Sequence, residues 1–156
     1  MALITLGANA ITALPSGVGG KVLQVVKEGI GTKHATTSTT YADVISKAIT
    51  PISSSSTIYI GFSTRVYMPS AGTEHRIKFL RDSTELEVYQ GAWQTGASST
   101  ARRELWEYYD GSHNTTSSIT YKVQHHSANG NSIEINPNGG SDGIYYLTLM
   151  EIAWWL

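Results

Sequence analysis

The segment Ile58–Met68 constrains the fold most, because its apolar side chains recur at almost every second position. Successive side chains of an extended chain point to opposite faces, so this period predicts one long β-strand with an apolar face. The opposite face also carries large side chains, and we expect a second sheet or another subunit to cover it. The apolar face comprises Ile58, Ile60, Phe62, Val66 and Met68, and the other face comprises Tyr59, Ser63, Arg65 and Tyr67.

Further strand-like runs, separated by turn signals, continue along the chain after residue 20. Their spacing, and the lack of a helical period, predict an all-β fold: an antiparallel two-sheet sandwich, jelly-roll-like, of about nine or ten strands. The pair Asn129-Gly130 predicts a hairpin in which residues 132–136 pair back on residues 117–126. The other predicted strands are 21–27, 41–49, 57–68, 75–80, 84–89, 100–109 and 144–155.

The composition indicates a one-domain globular protein and argues against several classes of function. Of 156 residues, 40% are hydrophobic and 15% are charged, which suits a core with a β-rich surface. A net charge of −1 argues against nucleic-acid binding. No apolar run approaches the roughly 20 residues that span a bilayer, and the first residues lack the basic region of a secretory signal. Because cysteine is absent, no thiolate metal site is expected, and no cofactor is expected either.

Residues 1–20 differ from the rest because they are small, apolar and glycine-rich, with no charged side chain. Such a segment has too little bulk to fold alone and too little polarity for a solvated tail. We therefore expect an extended arm that docks on another protein, followed by a β-sandwich domain over residues 21–156. The apolar side chains of the expected arm are Leu3, Ile4, Leu6, Ile11, Leu14 and Val18.

The last strand-like run, residues 145–156, is apolar on both faces. A strand covered on both faces lies at the centre of a fold or between subunits, and Trp, Tyr and Met are enriched in interface cores. We expect a homotrimer packed around these strands, and a central strand of a monomer is the alternative. The expected interface residues are Tyr145, Leu147, Leu149, Met150, Trp154 and Trp155.

The acidic and histidine side chains form no catalytic pattern in the sequence. Glu104 and Glu107 would point to opposite faces of one strand, so together with Asp110 they are interpreted as solvated surface charges. His125 and His126 also face opposite ways, which disfavours a shared metal ion. Neither a catalytic nor a metal site is therefore expected. The other histidines considered, His34, His75 and His113, are isolated in the sequence.

Two loops carry weaker signals. Residues 136–143 alternate oxygen-bearing side chains with glycines, as a calcium loop does, but they hold one carboxylate, so a plain glycine-rich loop is the default. Trp93, with Gln90 and Gln94, has the composition of a glycan site, in which a ring stacks on the sugar and amides bind its hydroxyls. The alternative is that Trp93 closes the end of the sandwich.

Six short motifs occur in a fixed order between residues 19 and 153. They are residues 19–26 (GGKVLQVV), 37–44 (TSTTYADV), 49–58 (ITPISSSSTI), 80–86 (LRDSTEL), 116–124 (TSSITYKVQ) and 147–153 (LTLMEIA). As a set they resemble a class of small phage virion proteins common in marine and freshwater phages, cyanophages included. The resemblance implies a non-enzymatic virion accessory with a β-sandwich head, similar to trimeric tail-fibre heads and to C1q- or TNF-like domains.

These features together predict a virion structural protein made in the host cytoplasm and located on the virion surface. The first hypothesis is a homotrimeric capsid decoration or cement protein, docked through its arm on the major capsid protein or a tail protein. The alternative is a tail-fibre tip, a receptor-binding adhesin that recognises a host surface glycan through Trp93. Neither hypothesis involves nucleic acid or membrane insertion.

Overall fold

The computed structural model describes residues 21–93, 95–96 and 99–153, and of Ala92, Ser141 and Asp142 it describes only the backbone. Within these residues the chain forms ten β-strands and one short 3-10 helix. None of the described segments is a helix long and apolar enough to cross a membrane. The elements are β1 (Lys21–Ile30), β2 (His34–Thr36), β3 (Ala42–Ile49), β4 (Thr57–Met68), β5 (Glu74–Arg81), β6 (Thr84–Trp93), β7 (Thr100–Asp110), β8 (Ile119–Ser127), β9 (Ile133–Ile135), the 3-10 helix (Gly140–Gly143) and β10 (Tyr145–Ala153).

The strands form two antiparallel sheets around one core, which confirms the predicted all-β sandwich. In sheet A, β1, β10, β4 and β7 lie side by side in that order, and β9 and β2 continue beside the second half of β4. Sheet B has the order β3, β8, β5 and β6. The two sheets enclose the apolar core between their inner faces.

Strand β4 behaves as its sequence predicts. Its apolar face points into the sandwich and is buried, and its other face lies on the outside of sheet A. Along one edge it pairs with β7 from Ile58 to Met68, and along the other it pairs first with β10 and then with β9. The buried hydrophobic residues of β4 are Ile58, Ile60, Phe62, Val66 and Met68.

A buried ion pair ties the two sheets together at the end of β7. Arg81 of β5 donates from Nη1 to both carboxylate oxygens of Asp110, at 3.0 and 2.9 Å, and the Tyr121 hydroxyl of β8 donates at 2.7 Å. Burial by itself raises the pKa of Asp110, but the bonds from Tyr121 and Ser112 and the charge of Arg81 outweigh it and hold the pKa below its usual value. Asp110 is therefore an internal link, and its interpretation as a solvated surface charge is wrong.

The predicted hairpin of residues 117–126 with residues 132–136 does not form. Strand β9 pairs with β2 and with the end of β4, all in sheet A, whereas β8 belongs to sheet B. Both edges of β8 are occupied, by β3 and by β5, so no edge remains for β9. The turn at Gly130, with a φ of 80°, instead carries the chain across to the other sheet.

A bulge in β6 brings its backbone close to β5. Trp93 pairs with Glu74 and Gln90 with Arg76, so Gly91 and the residue after it lie opposite His75 alone. A Cβ atom placed on Gly91 would lie 2.9 Å from the carbonyl oxygen and 3.2 Å from Nδ1 of His75. Only glycine therefore fits at this position without a shift of the backbone.

Replacing this glycine should destabilise the sandwich. We expect Gly91→Ala to lower the free energy of unfolding by about 1–3 kcal/mol, because the added methyl group meets the backbone of β5. Gly96→Ala is the control, since no atom of the described residues lies within 4 Å of a Cβ placed there, and it should change the stability by less than about 0.5 kcal/mol. Urea unfolding followed by circular dichroism measures both. Equal stabilities for the two variants would contradict the close approach.

Candidate functional site

The outer face of sheet A carries an exposed apolar surface at the end where β1 begins. The register places Val25, Met150, Tyr59 and Tyr109 in one row across four neighbouring strands. Val25 is 55% exposed and Tyr109 56% exposed, which is high for large apolar side chains on paired strands. We call this surface the apolar patch; it consists of Val22, Val25, Tyr59, Tyr109, Met150 and Ile152.

Contacts of its ring and of its hydroxyl fix the position of Tyr59 in the patch. Its ring centre lies 5.3 Å from that of Tyr109, and its hydroxyl donates to Oε1 of Glu107 at 2.6 Å. The ring lies along the strand over Gly61, where a Cβ would meet it. Burial and the bond to Glu107 raise the pKa of Tyr59, so the hydroxyl stays protonated and keeps this bond at neutral pH. The two tyrosines therefore offer a rigid aromatic surface, of the kind that interface cores use.

Both ends of the described chain lie beside the apolar patch. Lys21, where β1 begins, pairs with Ala153, where β10 ends. Residues 1–20 and 154–156 are therefore attached to the sandwich at this end. They lie outside the described residues, and with them lie the arm residues Leu3, Ile4, Leu6, Ile11, Leu14 and Val18 and the interface residues Trp154 and Trp155.

The buried carboxylate of Glu151 fixes the loop that closes the same end. It accepts hydrogen bonds from the backbone N–H groups of Ile52 and Ser53 at 2.9 and 3.0 Å, from the Ser56 hydroxyl at 2.7 Å and from Gln24 at 2.6 Å. Burial by itself raises the pKa of Glu151, but these four donors outweigh it and lower the pKa. The loop leaves Ile52 63% exposed, which adds apolar surface at this end of the sandwich.

The predicted interface residues of β10 divide between its two faces. Tyr145, Leu147 and Leu149 point into the core of the single chain, and each is at most 2% exposed. Their burial needs no second subunit, because β10 is a central strand between β1 and β4, the alternative that the sequence left open. Met150 lies on the outer face, in the apolar patch. The trimer itself stays a prediction.

Trp93 is the last residue of β6 and does not lie in a loop. It is 60% exposed, so it does not close the end of the sandwich within this chain. Gln90, on the same strand, donates from Nε2 to Glu74 at 3.0 Å, and Gln94 lies outside the described residues. An exposed indole beside an amide is compatible with sugar stacking, and glycan binding at Trp93 stays a prediction.

His34, His75 and His125, which no pattern in the sequence linked, form a row inside the sandwich. Nε2 of His75 lies 3.2 Å from Nδ1 of His125, and Nε2 of His125 lies 2.9 Å from Nδ1 of His34. His125 directs its two nitrogens to two different rings, so one ion cannot reach all three. In the described part of the chain, no group of three or more acidic or histidine side chains is placed to hold a metal.

The row ends at Glu104 of β7, whose Oε2 lies 3.9 Å from Nδ1 of His75. The Glu104 side chain points inward and is mostly buried, so it is not a solvated charge; Glu107, on the opposite face, is exposed. Burial raises the pKa of Glu104 to about 7 and lowers the pKa of His75 to about 3 and that of His125 to about 2. His75 and His125 are fully buried, which keeps any substrate from reaching them.

The loop of residues 136–143 is held by Asn136 at its start. This residue has a φ of 51°, is fully buried and donates from Nδ2 to the carbonyl of Gly31 at 2.7 Å. Its Oδ1 lies so close to Gly143 that a Cβ there would collide with it. The described atoms thus support a tight glycine-rich turn, and calcium binding by the loop stays untested.

The free energy of unfolding should fall as the pH drops below 6.5. Burial lowers the pKa of His75 and His125 in the folded chain, so the unfolded chain takes up protons first. The stability that these neutral rings contribute is present above pH 6.5 and is lost as the pH falls toward their folded values. Glu104 acts in the opposite direction between pH 7 and 4.5, because its raised pKa lets the folded chain bind the proton first. The steepest loss is therefore expected below pH 4.5.

Removing one ring of the row should flatten this dependence. We expect His125→Gln to be less stable than the wild type at about pH 7.5, because its bonds to His34 and His75 are lost, yet to lose about 1–2 kcal/mol less between about pH 7.5 and 5. Gln124→Ala, one position before His125 in β8 and with its amide turned outward and bonded to Asp43, removes no titrating group and should keep the wild-type slope. Urea unfolding at the two pH values measures this, and three equal slopes would contradict it.

The chain is similar to known proteins only in its fold. No protein-family model matches the chain. No curated protein matches it. Among solved structures, the chain is similar to the VP2 subviral particle of infectious bursal disease virus, with a TM-score of 0.47 and 10% identity over 84% of this chain and 40% of that chain. It is also similar to the Gx strain of the same virus, with a TM-score of 0.47 and 10% identity over 97% of this chain and 44% of that chain. The chain spans less than half the length of either neighbour.

Proposed function

We propose that the chain is a non-enzymatic virion structural protein, a homotrimeric knob that decorates or cements the capsid surface. The apolar patch is the observation that carries this proposal. A sandwich needs only the inner faces of its sheets to form a core, and here the outer face of sheet A adds a row of large apolar side chains across four strands. Exposed apolar surfaces of this kind are typical of protein–protein contacts.

The proposed docking arm extends this contact. Residues 1–20 join the sandwich at Lys21, beside the patch, and their apolar side chains would continue the same apolar surface over a neighbouring subunit. The C-terminal Trp154 and Trp155 follow Ala153 at the same place. The proposed docking involves no chemical reaction. The arm and the patch add contact area between shell subunits, and no bond in a substrate is made or broken.

The virion assignment rests on the sequence resemblance together with this surface. The partners are other copies of the chain and the major capsid protein or a tail protein, and the site of action is the virion surface after synthesis in the host cytoplasm. The proposal includes no cofactor, nucleic acid or membrane insertion. The fold contributes rigidity, because the patch lies on paired strands and its aromatic rings lose little freedom on binding.

A tail-fibre tip that binds a host surface glycan is the second candidate. One observation favours it: Trp93 is 60% exposed although it lies at the end of a paired strand. Gln90 and Gln94 would supply the amide groups that bind sugar hydroxyls. In this function the same trimer would sit at the end of the tail, and few copies per particle would suffice.

A charge in the apolar patch should disrupt self-association. We expect Val25→Asp to weaken the oligomer at least about tenfold, because an interface core excludes an unpaired carboxylate. The stability of one chain should change by less than about 0.5 kcal/mol, because Val25 is 55% exposed. Leu105→Asp is the matched control, since Leu105 is 58% exposed on the same face of sheet A but outside the patch. Sedimentation equilibrium measures both, and unchanged association for Val25→Asp would overturn the patch as the assembly surface.

Copy number in purified virions distinguishes the two functions. Quantitative mass spectrometry against the major capsid protein should find a ratio comparable to that of the capsid subunit if the chain decorates the shell. Deleting residues 1–18 should then abolish capsid binding, and Trp93→Ala should leave it intact. A few copies per particle, with cell binding lost in Trp93→Ala, would favour the tail tip instead. Absence from the particle would contradict both.

A further inference from the structure

A cavity of about 360 Å³ opens on the outer face of sheet A, at the end opposite the apolar patch. The patch centres on Tyr59 and the cavity on Arg65, six residues further along β4, which corresponds to roughly 20 Å in a strand. The row of Lys27, Thr148, Gly61 and Glu107 lies between them. The lining of the cavity includes Ser63, Arg65, Arg103, Leu105 and Tyr146.

Two arginines face each other in this cavity. Arg65 of β4 is the register partner of Arg103 of β7, so the pairing of the two strands sets like charges directly opposite each other. Such a pair is unfavourable in a sheet unless an anion lies between its members. The fold holds the pair in place, because residues on both sides of it along β4 and β7 are paired without a break.

The other arginines of the chain each lie beside a carboxyl group. Arg76, Arg81 and Arg102 each have a carboxylate oxygen within 4.0 Å, from Glu74, Asp110 and Glu104 respectively. Arg65 and Arg103 have no such partner among the described side chains. The carboxyl group of Glu104, although next to Arg103 in sequence, turns inward toward His75. Among the described side chains, the positive charge of the cavity thus has no carboxylate partner.

A third cation contacts Tyr146, one of the residues that line the cavity. Nζ of Lys27 sits over the ring of Tyr146, 3.5 Å from its centre. Tyr146 lies between Gly29 of β1 and Ser63 of β4, and a Cβ on Gly29 would lie 2.8 Å from the tyrosine ring. The ring therefore leans over Gly29, toward Lys27, and leaves the space above Ser63 open.

The remaining lining suits a sugar ring. Leu105 is 58% exposed and, with the edge of the Tyr146 ring, offers apolar surface for the flat face of a saccharide, while the Ser63 hydroxyl offers a polar contact. The volume lies within the range of small-ligand sites, about 300–1,000 Å³. Guanidinium groups bind a carboxylate in a planar, bidentate manner, which a neutral hydroxyl cannot match.

We propose that this cavity binds an acidic saccharide, with its carboxylate between Arg65 and Arg103 and its ring against Leu105 and Tyr146. A phosphate backbone is the less favoured anion, because the chain as a whole carries a net charge of −1 and would not attract a long polyanion. The inference does not rest on the proposed assembly. The cavity lies away from the patch, so it would stay open in a docked knob and would add a binding function to it.

The test measures binding of a disaccharide that contains glucuronic acid, with its neutral glucose counterpart as the reference ligand. Titration calorimetry on the full chain should give binding of the acidic sugar and at least tenfold weaker binding of the neutral one. Arg65→Gln and Arg103→Gln should each weaken binding of the acidic sugar at least tenfold. Arg102→Gln, which removes the same charge from the neighbouring residue, should stay within twofold of the wild type. Without ligand, Arg103→Gln should raise the Tm, because it relieves the opposed charges.

Three results would overturn the inference. The first is equal affinity for the acidic and the neutral sugar, the second is unchanged affinity in Arg103→Gln, and the third is sulfate binding as tightly as the sugar, which would mean an anion site without saccharide recognition. Arg103 is exposed, so Arg103→Gln should fold. If Arg65→Gln does not fold, the affinity of Arg103→Gln alone tests the inference. Loss of sugar binding in Trp93→Ala but not in Arg103→Gln would assign the glycan to Trp93 instead.

Discussion

The described structure depends on strand β4, because both of its faces and both of its edges are in use. Its inner face supplies the centre of the core, and its edges hold β7 on one side and β10 and β9 on the other. Its outer face carries Tyr59 near one end and Arg65 near the other. A shift of one residue in its register would exchange these faces and expose the core, so the hydrophobic pattern fixes the register firmly. The positions of the apolar patch and of the arginine cavity on sheet A both depend on that register.

Polar side chains inside the sandwich set how the two sheets face each other. Glu104 and His34 come from sheet A, and His75 and His125 come from sheet B, so the row crosses between the sheets. Buried polar groups are costly without partners, and apolar packing alone would tolerate small sliding of one sheet over the other. The row of polar side chains allows far fewer relative positions of the two sheets, since each ring nitrogen that forms a hydrogen bond must face its partner.

The outer face of sheet A combines two different chemistries on one rigid support. Apolar and aromatic side chains lie near the ends of the described chain, and the two opposed arginines lie at the far end of the same strands. Assembly at one end and ligand binding at the other do not compete in this arrangement. A knob attached by its patch would present the arginine cavity away from the attachment point. Paired strands hold the side chains of such sites in a fixed geometry more precisely than loops do.

The sequence by itself determined the fold class, the course of β4 and the two faces of that strand, because a period of two is a local property that a few residues reveal. It also indicated that Tyr59, Ser63 and Arg65 lie on the second face. Only the tertiary structure decided that Arg65 meets Arg103, that β9 joins sheet A, and that histidines 50 and 91 positions apart in sequence share hydrogen bonds. It likewise decided that the inner face of β10 is buried within one chain. The physical reason is that strand pairing and sheet packing join distant segments, and alternation shows which face a residue occupies but never which strand lies beside it.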